Sequence, residues 1–137
     1  MAQRGNTTFV PGDFSQSITL PTAVDTAHSF VLLTSRMGSL NQTLDSERTI
    51  RGVLSGPTTL TLSRNVAGTV NVDVHWQVVQ LSDTTVQSGT LTIGAGSSTS
   101  TAAISPVNLS KSFIFFNARA DAASGGFEEE YLVRASF

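Results

Sequence analysis

Asp73 and His75 stand two residues apart in the stretch Thr-Val-Asn-Val-Asp-Val-His-Trp-Gln-Val-Val-Gln-Leu, residues 69–81. A carboxylate beside an imidazole can orient a general base, and such a base can activate a serine nucleophile. The stretch alternates: Val70, Val72, Val74, Trp76 and Val78 take every second position, with Asn71, Asp73, His75 and Gln77 between them. A period of two puts the apolar side chains on one face of a strand and Asp73 with His75 on the other. No Gly-x-Ser-x-Gly elbow supplies the nucleophile, and the serines are scattered through turns. The pair therefore reads as part of a solvated polar face. Trp76, in phase with the valines, reads as core rather than as a sugar-stacking platform. His28 precedes a strand, has only Asp25 nearby and reads as a loop residue.

The remaining polar clusters are weaker. Glu128-Glu129-Glu130 could offer paired carboxylates to a glycosidic bond, but consecutive strand residues alternate, so at most Glu128 and Glu130 share a face. No Asp-x-Asp-x-Asp-Gly loop suggests calcium. Gly94-Ala95-Gly96-Ser97-Ser98 opens no helix and carries no lysine, which argues against a phosphate cradle. Arg36, Arg51, Arg119 and Arg134 could grip carboxylates bidentately, and read as structural pairs or interface contacts. Neither a catalytic site, a metal site nor a cofactor is expected.

Composition narrows the classes further. The chain has 137 residues and a net charge of −2, enough for one domain that buries roughly two thirds of its unfolded surface. It contains no cysteine, which removes disulfides, thiolate metal sites and cysteine nucleophiles together. A nucleic-acid partner would need a basic face, and seven arginines with the single Lys111 against ten acids do not supply one. No run approaches a membrane span of about twenty apolar residues, and the first eight residues hold no apolar core of a secretory signal. Charged residues make up only 13% of the chain, against roughly a quarter in ordinary soluble domains. Serine and threonine fill the polar positions instead. Such a surface keeps out of trouble by being covered, by copies of the same chain or by a partner.

The elements that position these residues read as strands. After a polar arm at 1–15, punctuated by Pro11-Gly12, candidates fall at about 17–20, 28–36, 47–54, 58–64, 69–81, 85–94, 98–104, 111–119 and 128–136. Pro, Gly, Ser and Asp separate them. Runs 69–81 and 85–94, joined at Ser82-Asp83-Thr84, read as a central hairpin. Eight or nine short strands at this spacing predict an all-β, antiparallel β-sandwich of jelly-roll type over residues 16–137. There is also an internal likeness. Ser29-Phe30-Val31-Leu32-Leu33 with Arg36 matches Ser112-Phe113-Ile114-Phe115-Phe116 with Arg119, each 83 residues on, and Thr49–Gly52 matches Leu132–Ala135 at the same offset. Phe30–Leu33 and Phe113–Phe116 are apolar without gaps, so both runs should be covered on two faces. Only Lys111 could guard a sheet edge.

The motif order Gly-Pro-Thr-Thr-Leu-Thr-Leu, His-Trp-Gln-Val-Val-Gln-Leu, Val-Gln-Ser-Gly-Thr-Leu-Thr-Ile and Val-Asn-Leu-Ser-Lys-Ser-Phe-Ile-Phe-Phe-Asn-Ala-Arg resembles small all-β structural proteins of tailed bacteriophages and prophages. The likeness spans about residues 17–137 and lies in the strand pattern, so it transfers no site residues. It implies a non-enzymatic virion component on the capsid surface, assembled in the host cytoplasm. The leading expectation is a capsid decoration (cement) protein, a small symmetric oligomer such as a trimer. It would contact the major capsid protein and its own copies, and neither nucleic acid nor membrane. A carbohydrate- or host-receptor-binding module, or a tail component, is the alternative. Expected interface residues are Phe9, Val10, Phe14, Arg36 and Arg119, with the arm clamping a neighbour.

Overall fold

The computed structural model describes residues 1–37, 45–119 and 135–137. Six strands lie among them: β1 (Ala2–Phe9), β2 (Ser15–Thr19), β3 (Ser29–Met37), β4 (Arg51–Gly56), β5 (Thr59–Ser63) and β6 (Val72–Gln80). A single-turn helix, α1 (Asp45–Arg48), and two 3₁₀ turns, Thr26–His28 and Leu109–Lys111, complete the assigned elements. The strands form two three-stranded antiparallel sheets, ordered β1-β6-β3 and β2-β5-β4. The described chain is thus built mainly on strands, as the spacing predicts.

Strand β6 follows its alternation closely. Val72, Val74, Trp76 and Val78 are buried, while His75 and Gln77 are exposed. Its backbone is used on both sides. β1 pairs with it from Ala2↔Val79 to Phe9↔Val72, and β3 from Ser29↔Gln80 to Met37↔Val72. This overturns the expected hairpin: with β1 and β3 occupying both edges, β6 has no free donors or acceptors for residues 85–94. It also overturns the separate arm. Gln-Arg-Gly-Asn-Thr-Thr carries no apolar side chain before Phe9, so its period is invisible in the sequence. The segment is a strand because β6 offers it an open edge. Gly5 lies opposite Trp76, and a Cβ there would stand 2.5 Å from the indole Cζ2. Glycine lets the ring lie against β1. The Met1 ammonium donates to the Gln80 carbonyl at 2.8 Å, closing that end of the sheet.

Other expectations change as well. Residues 47–54 begin in α1 rather than in a strand. Segments 85–94, 98–104 and 111–119 join no ladder among the described residues, and residues 128–134 of the last expected strand lie outside them. Six strands therefore stand, among the described residues, where eight or nine were expected. Both sheets feed one hydrophobic cluster: Phe9, Val72, Val74, Trp76 and Val78 from the first, Leu60 and Leu62 from the second, with Leu20, Val24 and Ile50. Ile18, Leu33 and Leu54 pack against it, half-buried.

At one end of this core sits Arg64, 1% exposed. A buried guanidinium is tolerable only if its fixed fork of donors is satisfied. Nε donates to the Asp13 carbonyl at 2.6 Å, Nη2 to the Val10 carbonyl at 2.7 Å and Nη1 to the Glu47 carbonyl at 3.2 Å. The guanidinium also lies 5.3 Å from the Phe9 ring centroid, within cation–π range. Burial pulls the Arg64 pKa down from its ordinary value, and Asp13 and Glu47 pull against that. Glu47 in turn accepts from the Thr69 amide and hydroxyl at 2.9 and 3.0 Å. One side chain thus ties the 10–13 turn, α1 and the approach to β6 together. Gly68 makes room for it: a Cβ there would stand 2.1 Å from Nη1.

The internal likeness has a structural counterpart that begins upstream of the matched strands. Asp25 (φ −81°, ψ 111°) caps the first 3₁₀ turn, accepting from the Ala27 amide, and Asn108 (φ −82°, ψ 104°) caps the second, accepting from the Ser110 amide. His28 N donates to Asp25 O at 3.1 Å, and Lys111 N to Asn108 O at 2.9 Å. Ser29 Oγ and Ser112 Oγ each return to the capping carbonyl, at 2.6 and 2.8 Å. Both serines leave the turn extended. Each pair is again separated by 83 residues.

Replacing Arg64 with leucine strands three carbonyls and should cost about 3–5 kcal/mol, read as a lowered denaturant midpoint. Gly68→Ala should displace the guanidinium and cost a similar amount. Because both changes break the same contacts, the double variant should be no less stable than Arg64→Leu alone. Additive losses would show that Gly68 serves something other than Arg64.

Candidate interaction surface

The outer face of the first sheet carries the residues that looked most like chemistry. Register places Arg4 and Leu32 beside Gln77, Asn6 and Thr34 beside His75, and Thr8 and Arg36 beside Asp73. Asp73 is engaged on both sides: it accepts from Thr8 Oγ1 at 2.8 Å and pairs with Arg36 Nη2 at 3.3 Å. The Thr8 hydroxyl, then Arg36 and His75, hold its carboxyl below the usual range. Among the described residues no serine lies in register on this face; the hydroxyls there belong to Thr8, which donates to Asp73, and to Thr34, beside His75. What remains is a shallow groove of about 300 Å³ along Arg4, Asn6, Leu32, Thr34, His75 and Gln77. It is rich in hydrogen-bonding groups. Trp76 belongs to the core as its phase predicts, with its Nε1–H unpaired. His28 closes the first 3₁₀ turn, and its Nδ1 meets the Thr84 carbonyl. Among the described residues, no cluster of three His, Cys, Asp or Glu could hold a metal ion.

The expected interface residues separate. Phe9 is fully buried beneath Arg64 and is not available to a partner, because pairing with Val72 turns it into the core. Val10 and Phe14 are exposed on either side of the Pro11-Gly12 turn, where Gly12 takes φ 92°. That turn is fastened by Asp13, which accepts from Val10 N and Gln16 Nε2, both at 3.0 Å. These bonds, with Arg64 nearby, hold its carboxyl below the usual range. Arg36 is spent on Asp73, and Arg119 donates to Ser63 Oγ at 3.4 Å.

A larger surface lies in residues 81–119. Beyond β6 the chain leaves the sheet, with Val86 N donating to Ala27 O, and turns at Gly94–Ser97. It returns past itself with Gln87 bonded through its side chain to both backbone groups of Ser105. The two runs do not close into a ladder. They flank a groove of about 240 Å³ between residues 87–91 and 102–104. Farther on, Phe113 and Phe115 gather on Phe30, the ring centroids 4.8–6.1 Å apart, and Asn117 Oδ1 accepts from Gly52 N on the open edge of β4. Phe113, Phe115 and Phe116 nevertheless remain 53–60% exposed. Among the described residues this run meets the Phe30 ring and, through Asn117, the Gly52 amide, so cover on two faces is not found there.

Arg64 was missed by the sequence reading because its partners are main-chain carbonyls, which leave no trace in residue type. Gly68, four residues on, was the available signal. The acid response of the fold follows from Asp13 and Asp73. Both carboxyls lie below their unfolded values in the native state, so the stability they lend is present above about pH 4 and lost as pH falls through the native values. Urea midpoints should therefore drop between about pH 5 and about pH 2, and the drop should be shallower in Asp13→Asn/Asp73→Asn. An unchanged slope would assign the acid response elsewhere. No protein-family model, curated protein or solved structure matches the chain.

Proposed function

We propose that this chain is a virion structural protein, a decoration protein bound to the outside of a tailed-phage capsid. In this reading the two sheets are the halves of a β-sandwich of jelly-roll type, completed when residues 81–119 meet other chains. One observation carries the reading. About a third of the described chain, residues 81–119, joins neither sheet, contains only Asp83, Lys111 and Arg119 as charged residues, and holds Leu91, Ile93, Ile104, Leu109 and three phenylalanines in solvent. Exposed apolar area on this scale marks a surface meant to be covered, and a cementing protein works by adding such contacts where capsomers meet. Resemblance of the motif order to phage structural proteins supports the same assignment, with the major capsid protein and copies of the chain as partners. On the polar face Asp73 is held by Thr8 and Arg36 rather than directed at His75, which supports a non-enzymatic role. The groove along Asn6, His75 and Gln77 favours the second reading, a carbohydrate-binding tail module. It lacks an exposed aromatic platform, since Trp76 is in the core.

Undecorated heads of the phage encoding this chain should take up the purified protein saturably, at symmetry-related positions visible by electron microscopy. Phe14→Ser and Phe116→Ser should lower occupancy without unfolding the body. Bare heads at saturating protein would end this reading, and a glycan-array signal lost in His75→Ala would install the second.

A further inference from the structure

We propose that Ser112–Arg119 of one copy forms an antiparallel ladder with run 86–93 of a second copy. The first turn-and-strand unit shows what such a unit does in this protein. Its strand, β3, pairs along nine residues with β6. Its turn receives the chain that follows: Leu81 N donates to His28 O at 3.0 Å, Val86 N to Ala27 O at 2.7 Å, and Asp25 N to Gln80 Oε1 at 3.2 Å. The second unit reproduces the cap, the turn and the exit serine at the same offset, and then an apolar run of the same form. At the positions matching Asp25 N, Ala27 O and His28 O, the groups Asn108 N, Ser110 O and Lys111 O have no bond to any described residue outside the turn. Neither does the backbone of Ser112–Arg119, apart from side-chain contacts. Among the described residues, a strand-pairing device is built twice and filled once.

The occupant is argued from the same chain. β6 is saturated and cannot serve a second time. Run 86–93, by contrast, belongs to no helix or strand, alternates Leu91 and Ile93 with Thr90 and Thr92 at its end, and borders an open groove of about 240 Å³ instead of a neighbouring strand. It continues directly from the residues that dock on the first turn. Charge raises no objection, because residues 86–119 carry only Lys111 and Arg119. Area is of the right order. Leu91, Ile93, Ile104, Phe113, Phe115 and Phe116, each about half exposed, leave on the order of 700 Å² of apolar surface in solvent. Each partner in a stable pair buries roughly 800 Å². Pairing of this kind needs no capsid, so it stands or falls apart from the decoration reading.

The test uses the full chain alone. Sedimentation across a wide concentration range should show reversible association, and hydrogen exchange should show amides of 86–93 and 112–119 protected in the oligomer and exposed on dilution. Ile114→Pro and Thr90→Pro, which each remove a ladder donor from a segment outside the six strands, should give monomers. Their β1–β6 amides should exchange as in the parent. Three results would overturn the proposal: a monomer at every concentration, protection of 112–119 that does not depend on concentration, or an oligomer in which both segments exchange freely. A chain that self-associates but leaves capsids bare would keep this proposal and remove the other.

Discussion

The fold depends on burying one charge. Arg64 has been drawn out of water at the end of the core, and its fork is matched by three carbonyls from two segments remote in sequence, at positions 10, 13 and 47. Leaving any of those carbonyls without a partner would cost more than the bond contributes, so the turn after β1, the helix α1 and the loop before β6 must arrive together. Gly68 and the carboxylate of Glu47 are fitted around this point. An interior of hydrocarbon alone would tolerate several arrangements of so short a set of strands. A satisfied guanidinium tolerates one.

From that fixed end the architecture follows by occupancy of edges. β6 is the most strongly patterned strand, and a strand buried on one face with both edges paired is the natural centre of a sheet. Once β1 and β3 are in place, everything after Gln80 must find backbone partners elsewhere. The second sheet does not supply them: β5 is central there, and the open edge of β4 is met by the side chain of Asn117 rather than by a ladder. Residues 81–119 therefore join neither sheet and leave apolar side chains exposed, with few charges to keep them in solution. That exposed apolar area is the physical basis of the proposal that the protein works in contact with other chains.

Where reading the residues worked, the determinant was local. The alternation of 69–81, the core position of Trp76 and the solvated setting of Asp73 with His75 all follow from side-chain period. The 83-residue likeness was visible as paired apolar runs, and the geometry of the two turns extends it upstream. Where reading failed, the determinant lay on another segment. β1 has no pattern of its own and is a strand because of β6. Phe9 looked like an interface residue because nothing in its neighbours says that Arg64 and Val72 enclose it.

The sequence by itself determined which residues are strand-like, which face of each is apolar, and that the chain lacks the charge and the thiols for several kinds of partner. Those properties are set by side-chain type and spacing, which act over a few residues. Tertiary structure alone decided which strands pair, because backbone donors and acceptors are identical in every residue and are allotted by competition for edges. It decided that the polar N-terminal segment is an edge strand of the first sheet and that the aromatic run at 113–116 joins no sheet among the described residues. Both outcomes turn on the same fact: β6 has two edges, and they were taken first by β1 and β3.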